Sequence, residues 1–146
     1  MRRAAIVMRE ISPAALINEV QSREWGAISL FLGTVRDTND GRRVTGIDYS
    51  AYTSMAESEL ATILAEAGDR FGDMALVVEH RVGSLALGDV SVAIATGHHH
   101  RASALDCTRF VIEEIKKRVP IWKLEHYVDG TRDWVDPARA GEVTRR

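Results

Sequence analysis

Among its 146 residues the chain has one cysteine, three prolines and three lysines. A lone thiol, Cys107, can form neither an internal disulfide nor a thiolate metal cage, so nothing in the sequence points to an oxidising compartment. Long hydrophobic runs are missing too: the apolar stretches are strand-sized, far short of the ~20 residues a membrane helix needs. Met1-Arg2-Arg3 opens basic, but Arg9 and Glu10 interrupt the next stretch, so no secretory core develops and a cytoplasmic location is expected. An excess of positive charge is also absent. Nineteen Lys+Arg stand against 21 Asp+Glu, a net charge of −2, which argues against a nucleic-acid binder held by bulk charge. The 45% hydrophobic and 27% charged residues that are present are ordinary for a soluble globular protein. The length fits one domain over residues 1–146, with a frayed tail from about residue 136.

The few lysines are not scattered. All three, Lys116, Lys117 and Lys123, fall within eight positions, while arginine serves everywhere else. Arginine cannot release its proton in a protein, whereas a lysine amine can be tuned by burial and neighbouring charge. From Arg101 to Lys123 six basic residues face three acidic ones, and His98, His99 and His100 come just before. Local positive charge on an otherwise acidic chain suggests an anionic ligand, or equally a solvated helix face.

Ser12-Pro13 reads as an N-cap with proline at the first helical position, opening a helix to Val20. Ala27 to Val35 is a β-rich run, Asp37–Gly41 a polar turn, and Val44 to Tyr52 a second strand; the two strands are expected to pair as a hairpin. Ser54 and Glu57 match a capping box for a helix to Phe71, with Leu60, Ile63, Leu64 and Ala67 along its apolar face. Ala75–Val78 and Val90–Ala95 are expected strands joined by a glycine-punctuated turn. A helix from Ala102 to Val119 carries Leu105, Thr108, Ile112 and Ile115 on one face, and Pro120 ends it. Ile121 to Tyr127 alternates as a strand, with Ile121, Lys123 and Glu125 on one side and Trp122, Leu124 and His126 on the other. The order αββαββαβ implies an α+β fold, a mostly antiparallel sheet with packed helices.

At ~100° per residue Lys116 falls beside the apolar arc of its helix and Lys117 points away. Lys123 comes next, on a strand that turns back after Pro120, so the two amines can converge; a snorkelling border lysine is the plainer reading. His100 and Arg101 stand at a helix N-terminus, a place favourable to anions, or else are ordinary surface residues. Three adjacent histidines rarely point at one ion, so a metal site is not expected. Arg36, with Arg42 and Arg43 across the polar turn, reads either as a lid over an anion or as an exposed hairpin. Cys107 reads as a small packed residue, and Trp122 and Trp134 as core or interface anchors.

Five blocks in order, GTVRDTNDG at Gly33–Gly41, AYTSMAE at Ala51–Glu57, HRVGSLALGD at His80–Asp89, HRASA at His100–Ala104 and KKRVPIWKLE at Lys116–Glu125, resemble the large, catalytic subunit of molybdopterin synthase. The resemblance runs from about Gly26 to Val135, and the last block is its most specific part. It implies an α/β hammerhead-type fold and a homodimer, each subunit binding a small ubiquitin-like sulfur carrier to give a heterotetramer. The implied reaction is a sulfurtransferase step in molybdenum cofactor biosynthesis. Cyclic pyranopterin monophosphate becomes molybdopterin with sulfur from the thiocarboxylate on the carrier's Gly-Gly tail, and no resident cofactor is implied. Carried onto this sequence, the pattern gives Lys116 contact with the tail terminus and Lys123 a proton-transfer or charge-stabilising role, with Glu125 positioning it. Arg36, His100 and Arg101 would bind the substrate phosphate and pterin, the last two from either subunit, and backbone at Thr34, Val35 and Leu124 would line the pocket. Ser50 and Leu105 depart from the family pattern. A non-catalytic adaptor gripping a partner's Gly-Gly tail is the competing reading.

Overall fold

The computed structural model describes residues 1–135, and the expected frayed tail lies outside them. The strands are β1 (Arg2–Val7), β2 (Ala27–Thr34), β3 (Thr38–Asn39), β4 (Arg42–Ala51), β5 (Ala75–Arg81), β6 (Gly83–Ala86), β7 (Val90–His98), β8 (Ile121–Tyr127) and β9 (Arg132–Val135). The helices are α1 (Pro13–Val20), α2 (Thr53–Phe71) and α3 (Arg101–Arg118). They build two sheets. The first has the order β1-β5-β7-β2, parallel only between β1 and β5; in the second, β3, β4, β8 and β9 are successive neighbours and β6 adds to β4.

The first sheet is covered on both faces, and the period of two along β5 divides its side chains between two cores. Leu76 and Val78 face α2 and α3, where Leu60, Ile63, Val111 and Ile115 complete the larger core. Ala75 and Val77 face α1, against Leu16 and Val20. Ser12 caps α1 as its sequence predicts, accepting a hydrogen bond from the Ala15 amide at 3.3 Å. A smaller core of Val35, Val44, Ile47, Leu85 and Tyr127 holds the second sheet together. Cys107 is a packed core thiol, 3.5 Å from the Met74 sulfur, its pKa pushed up to about 11 by burial.

Several expectations fail, most of them because a distant partner outcompetes a local one. The stretches around Ala27–Thr34 and Arg42–Ala51 do not form a hairpin: β2 pairs with β7, and β4 with β8 and β6. The tight turn instead joins β3 to β4, where Asp40 and Gly41 both have positive φ (53° and 78°), as a primed hairpin turn requires. The capping box does not form. Tyr52 is the N-cap of α2 without a side-chain bond, and the Glu57 carboxylate accepts the Ile6 amide of β1 at 2.9 Å. The glycine-punctuated link after β5 contains β6, and β1, β3 and β9 are further strands that periodicity does not reveal. Leu105 is 60% exposed, because the buried face of α3 runs through Ala104, Cys107, Thr108, Val111 and Ile115. For Trp122 and Trp134 only the core alternative fails, since both lie on the surface as an interface anchor would; Trp122 meets Tyr52 edge to face at 5.5 Å.

Candidate active site

Where the two sheets meet, the chain leaves a groove of about 360 Å³. Its walls come from the end of β2 (Gly33, Thr34), the start of β7 (Ser91, Val92), β4 (Ile47, Tyr49) and the β3 hairpin. The C-terminal turn of α3 contributes Lys116, and β8 contributes Lys123 and Glu125. Pro120 makes the two lysines neighbours. Val119 ends α3 in an extended conformation (φ −83°, ψ 126°), and the chain reverses at once into β8. Alternation along β8 then turns Lys123 and Glu125 inward.

Glu125 anchors the floor. It is 1% exposed, and the Asn39 side-chain amide donates to both its oxygens at 2.8 Å. The Tyr127 hydroxyl donates to it at 2.8 Å, and the Lys123 Nζ lies 3.3 Å from Oε1. A buried carboxylate survives only with such partners. Burial first, then the Glu125 bond, pushes the Tyr127 hydroxyl up to about 12, so it stays a donor. Lys116 is exposed as a residue, yet its amine is crowded against the groove wall. That desolvation, and then the like charges of Lys123 and Arg36, hold it below the ordinary lysine value. Arg36 reaches toward Asn39 at 3.5 Å. Three cationic side chains around a single, already partnered carboxylate make a receptor for an extended anion.

Beyond this groove lies a smaller chamber of about 40 Å³, sharing Tyr49, Ser91, Val92, Lys116 and Lys123 with it and closed by His80. His80 is 7% exposed and meets Tyr49 edge to face at 5.3 Å. Its Nδ1–H donates to the Arg81 carbonyl at 2.9 Å. Burial drives its pKa down to about 4, with Lys116 adding to the shift.

Of the residues singled out from sequence, Thr34, Arg36, Lys116, Lys123 and Glu125 line the groove together. Val35 does not: its side chain is buried in the small core, its amide donates to Asp89 and its carbonyl accepts from Gly88. Leu124 points to the other face of β8, and its neighbours in the sheet are Asp48 and Trp134. His100 and Arg101 begin α3, whose far end holds Lys116, so 15 residues of helix, about 22 Å, separate them within one chain. The basic segment does not act as one patch either. Arg118 is tied to Glu59, Glu66 and Glu114. At the polar turn, Arg42 lies over the Tyr127 ring and bonds Asp133, away from the groove, so it does not join Arg36 there. His98 is bonded to the Phe71 carbonyl and His99 lies against Trp25, so two of the three histidines are spent on packing, while His100 stays exposed at the start of α3. Asn39, Tyr49, His80 and Ser91 complete the site; Asn39 and His80 lie in the blocks Gly33–Gly41 and His80–Asp89 without having been singled out, and no motif marks Tyr49 or Ser91. His80 carries a further signal as an ionisable residue just past the apolar run Ala75–Val78, after Glu79.

The architecture defines an α+β protein with a positively charged groove on which two lysines converge. Residues 6–118 match the family described as MoaE protein, and the chain belongs to that family. It is 41% identical over 129 residues to a molybdopterin synthase catalytic subunit of Thermoplasma volcanium, covering 88% of this chain and 94% of that one. Molybdopterin synthase from Staphylococcus aureus superposes with a TM-score of 0.85 at 33% identity, over 90% of this chain and 95% of that one. A Helicobacter pylori chain with a TM-score of 0.74 and 21% identity, over 90% of this chain and 89% of that one, shares the fold; its structure is a complex of subunits 1 and 2 of molybdopterin-converting factor.

Proposed function

We propose that the groove is the place where sulfur from the thiocarboxylated Gly-Gly tail of a small ubiquitin-like carrier is passed to cyclic pyranopterin monophosphate. As a member of its family the protein is a molybdopterin synthase catalytic subunit, an enzyme of molybdenum cofactor biosynthesis. The observation that carries the local reading is the convergence of Lys116 and Lys123, from different elements, on one groove with Arg36 and Glu125. Both reactants are anions, and the groove's free charge is positive. Its only cysteine is buried in the core with a raised pKa, so the sulfur has to arrive on a partner.

In this reading Lys116 meets the tail's terminal carbonyl: it holds the anionic thiocarboxylate while the sulfur bonds to the substrate carbon, and stabilises the charge that builds on the carbonyl oxygen when the tail is released. Lys123, fixed by Glu125, moves or holds a proton nearby. Arg36 takes the substrate phosphate bidentately. His100 and Arg101, too distant within one chain, come from the second copy of a homodimer, and two carriers complete a heterotetramer. Reconstitution with thiocarboxylated carrier and the cyclic monophosphate tests the reading: wild-type protein forms the dithiolene, and folded Lys116→Ala loses about 10²-fold or more of the rate. Lys117→Ala, whose side chain is 68% exposed beside Glu114, turns over as wild type. Carrier binding without product by the wild-type protein would favour the adaptor reading.

A further inference from the structure

The sulfur transfer leaves an oxygen to be found. The carrier tail arrives as –C(=O)–S⁻; once its sulfur has bonded to the substrate carbon, displacing an oxygen substituent that leaves with its electron pair, tail and substrate are joined as –C(=O)–S–C. To leave as a carboxylate the tail must gain an oxygen, and water is the reactant of the right composition. The chamber behind the groove fits that need. Its volume of about 40 Å³ is room for about one water. Its polar lining residues are Lys116, Lys123, Ser91, Tyr49 and His80, set among apolar side chains of α3 and the strands.

His80 is the part of this lining that the proposed chemistry has not used. A carbonyl oxygen only accepts, so the 2.9 Å bond to Arg81 fixes the proton on Nδ1 and leaves Nε2 as a bare lone pair. The ring is more than nine-tenths buried, and among the described residues its other nitrogen has no hydrogen-bond partner. The remaining polar groups are ammonium donors or hydroxyls. The Ser91 hydroxyl is already engaged, donating to the Gly33 carbonyl at 3.1 Å.

Building on the sulfur-transfer reading, we propose that His80 is a further catalytic residue, holding through Nε2 the water that hydrolyses the tail–substrate thioester. The water donates one hydrogen to Nε2 and turns a lone pair to the carbonyl carbon, whose oxygen lies by Lys116. The C–O bond forms, the C–S bond breaks, and the electron pair stays on sulfur as the substrate thiolate. One proton passes through Nε2 to solvent and the second leaves as the new carboxyl group ionises; nothing is oxidised or reduced. With a pKa near 4 the imidazole stays neutral and returns the proton readily.

A single turnover with thiocarboxylated carrier and cyclic pyranopterin monophosphate separates the two steps. For His80→Phe the joined carrier–substrate species, read by intact mass, forms at about the wild-type rate. It then accumulates, because release of carboxylate carrier slows about tenfold or more. His80→Gln, which offers an amide oxygen, recovers part of the release rate, and ¹⁸O-water labels the released carboxylate. Release at the wild-type rate from folded His80→Phe overturns the proposal, as does an equal loss of both steps in the two variants. Failure of the wild-type protein to join carrier and substrate at all would instead sink the sulfur-transfer reading.

Discussion

A single imidazole sets a measurable property of the whole chain. His80 titrates near 4 in the fold, whereas an exposed histidine titrates near 6.5. Above pH 6.5 the ring is neutral folded or unfolded and costs nothing. Between 6.5 and 4 the unfolded chain binds a proton that the folded one refuses, so stability drains away as pH falls, by about 3 kcal/mol over the window. The carboxylates behave differently. Glu79, held low by Arg9 and Arg3 against the opposing effect of burial, contributes stability that disappears only below the ordinary carboxylate range. Urea unfolding at steps from pH 7.5 to 3.5 is expected to show two falls. His80→Phe should remove the upper one and keep the lower; an unchanged upper fall would mean the ring is not buried neutral.

At the scale of elements, the site depends on a two-residue strand. β3 exists because Asp40-Gly41 turns the chain tightly, and its product is Asn39 set over Glu125. Asn39→Ala leaves a buried carboxylate short of its donors and should cost about 1–3 kcal/mol in unfolding free energy. It should also weaken sulfur transfer, because Glu125 then holds Lys123 less firmly; Asn39→Asp should be worse than Ala, since it sets a second carboxylate against the first. Elements of this kind explain how far the sequence can be read. The periodic ones (α1, α2, α3, β2, β8) and the residues they aim, Lys116, Lys123 and Glu125, are legible from spacing and from Pro120. Pairing of β4 with β8, about 75 residues away, leaves no local mark, and neither does a strand as short as β3. Glu57 misleads for the same reason. Its spacing from Ser54 satisfies a local rule, but the amide it caps belongs to β1, 51 residues earlier. His80 and Ser91 enter the site through the meeting of two sheets, a relation that no window of sequence contains.

For the molecule as a whole, the length of α3 is the argument for a second copy. His100 and Arg101 at one end cannot reach an anion held by Lys116 at the other, about 22 Å off. If a twofold partner brings its helix N-terminus to each groove, every site is built from two chains, and pairs of damaged subunits should complement one another. A dimer of one Arg101→Ala subunit and one Lys116→Ala subunit then has one site with both defects and one with neither. Mixed at random, such subunits should recover about a quarter of wild-type turnover, although each variant alone is nearly inactive. If Arg101 served the groove of its own chain, each site in the mixed dimer would carry one defect and no activity would return. Unfolding and refolding the two variants together, with tagged subunits to count the mixed species, distinguishes the cases. No recovery in a preparation that contains mixed dimers would remove Arg101 from the partner's site, while leaving the chemistry at Lys116 untouched.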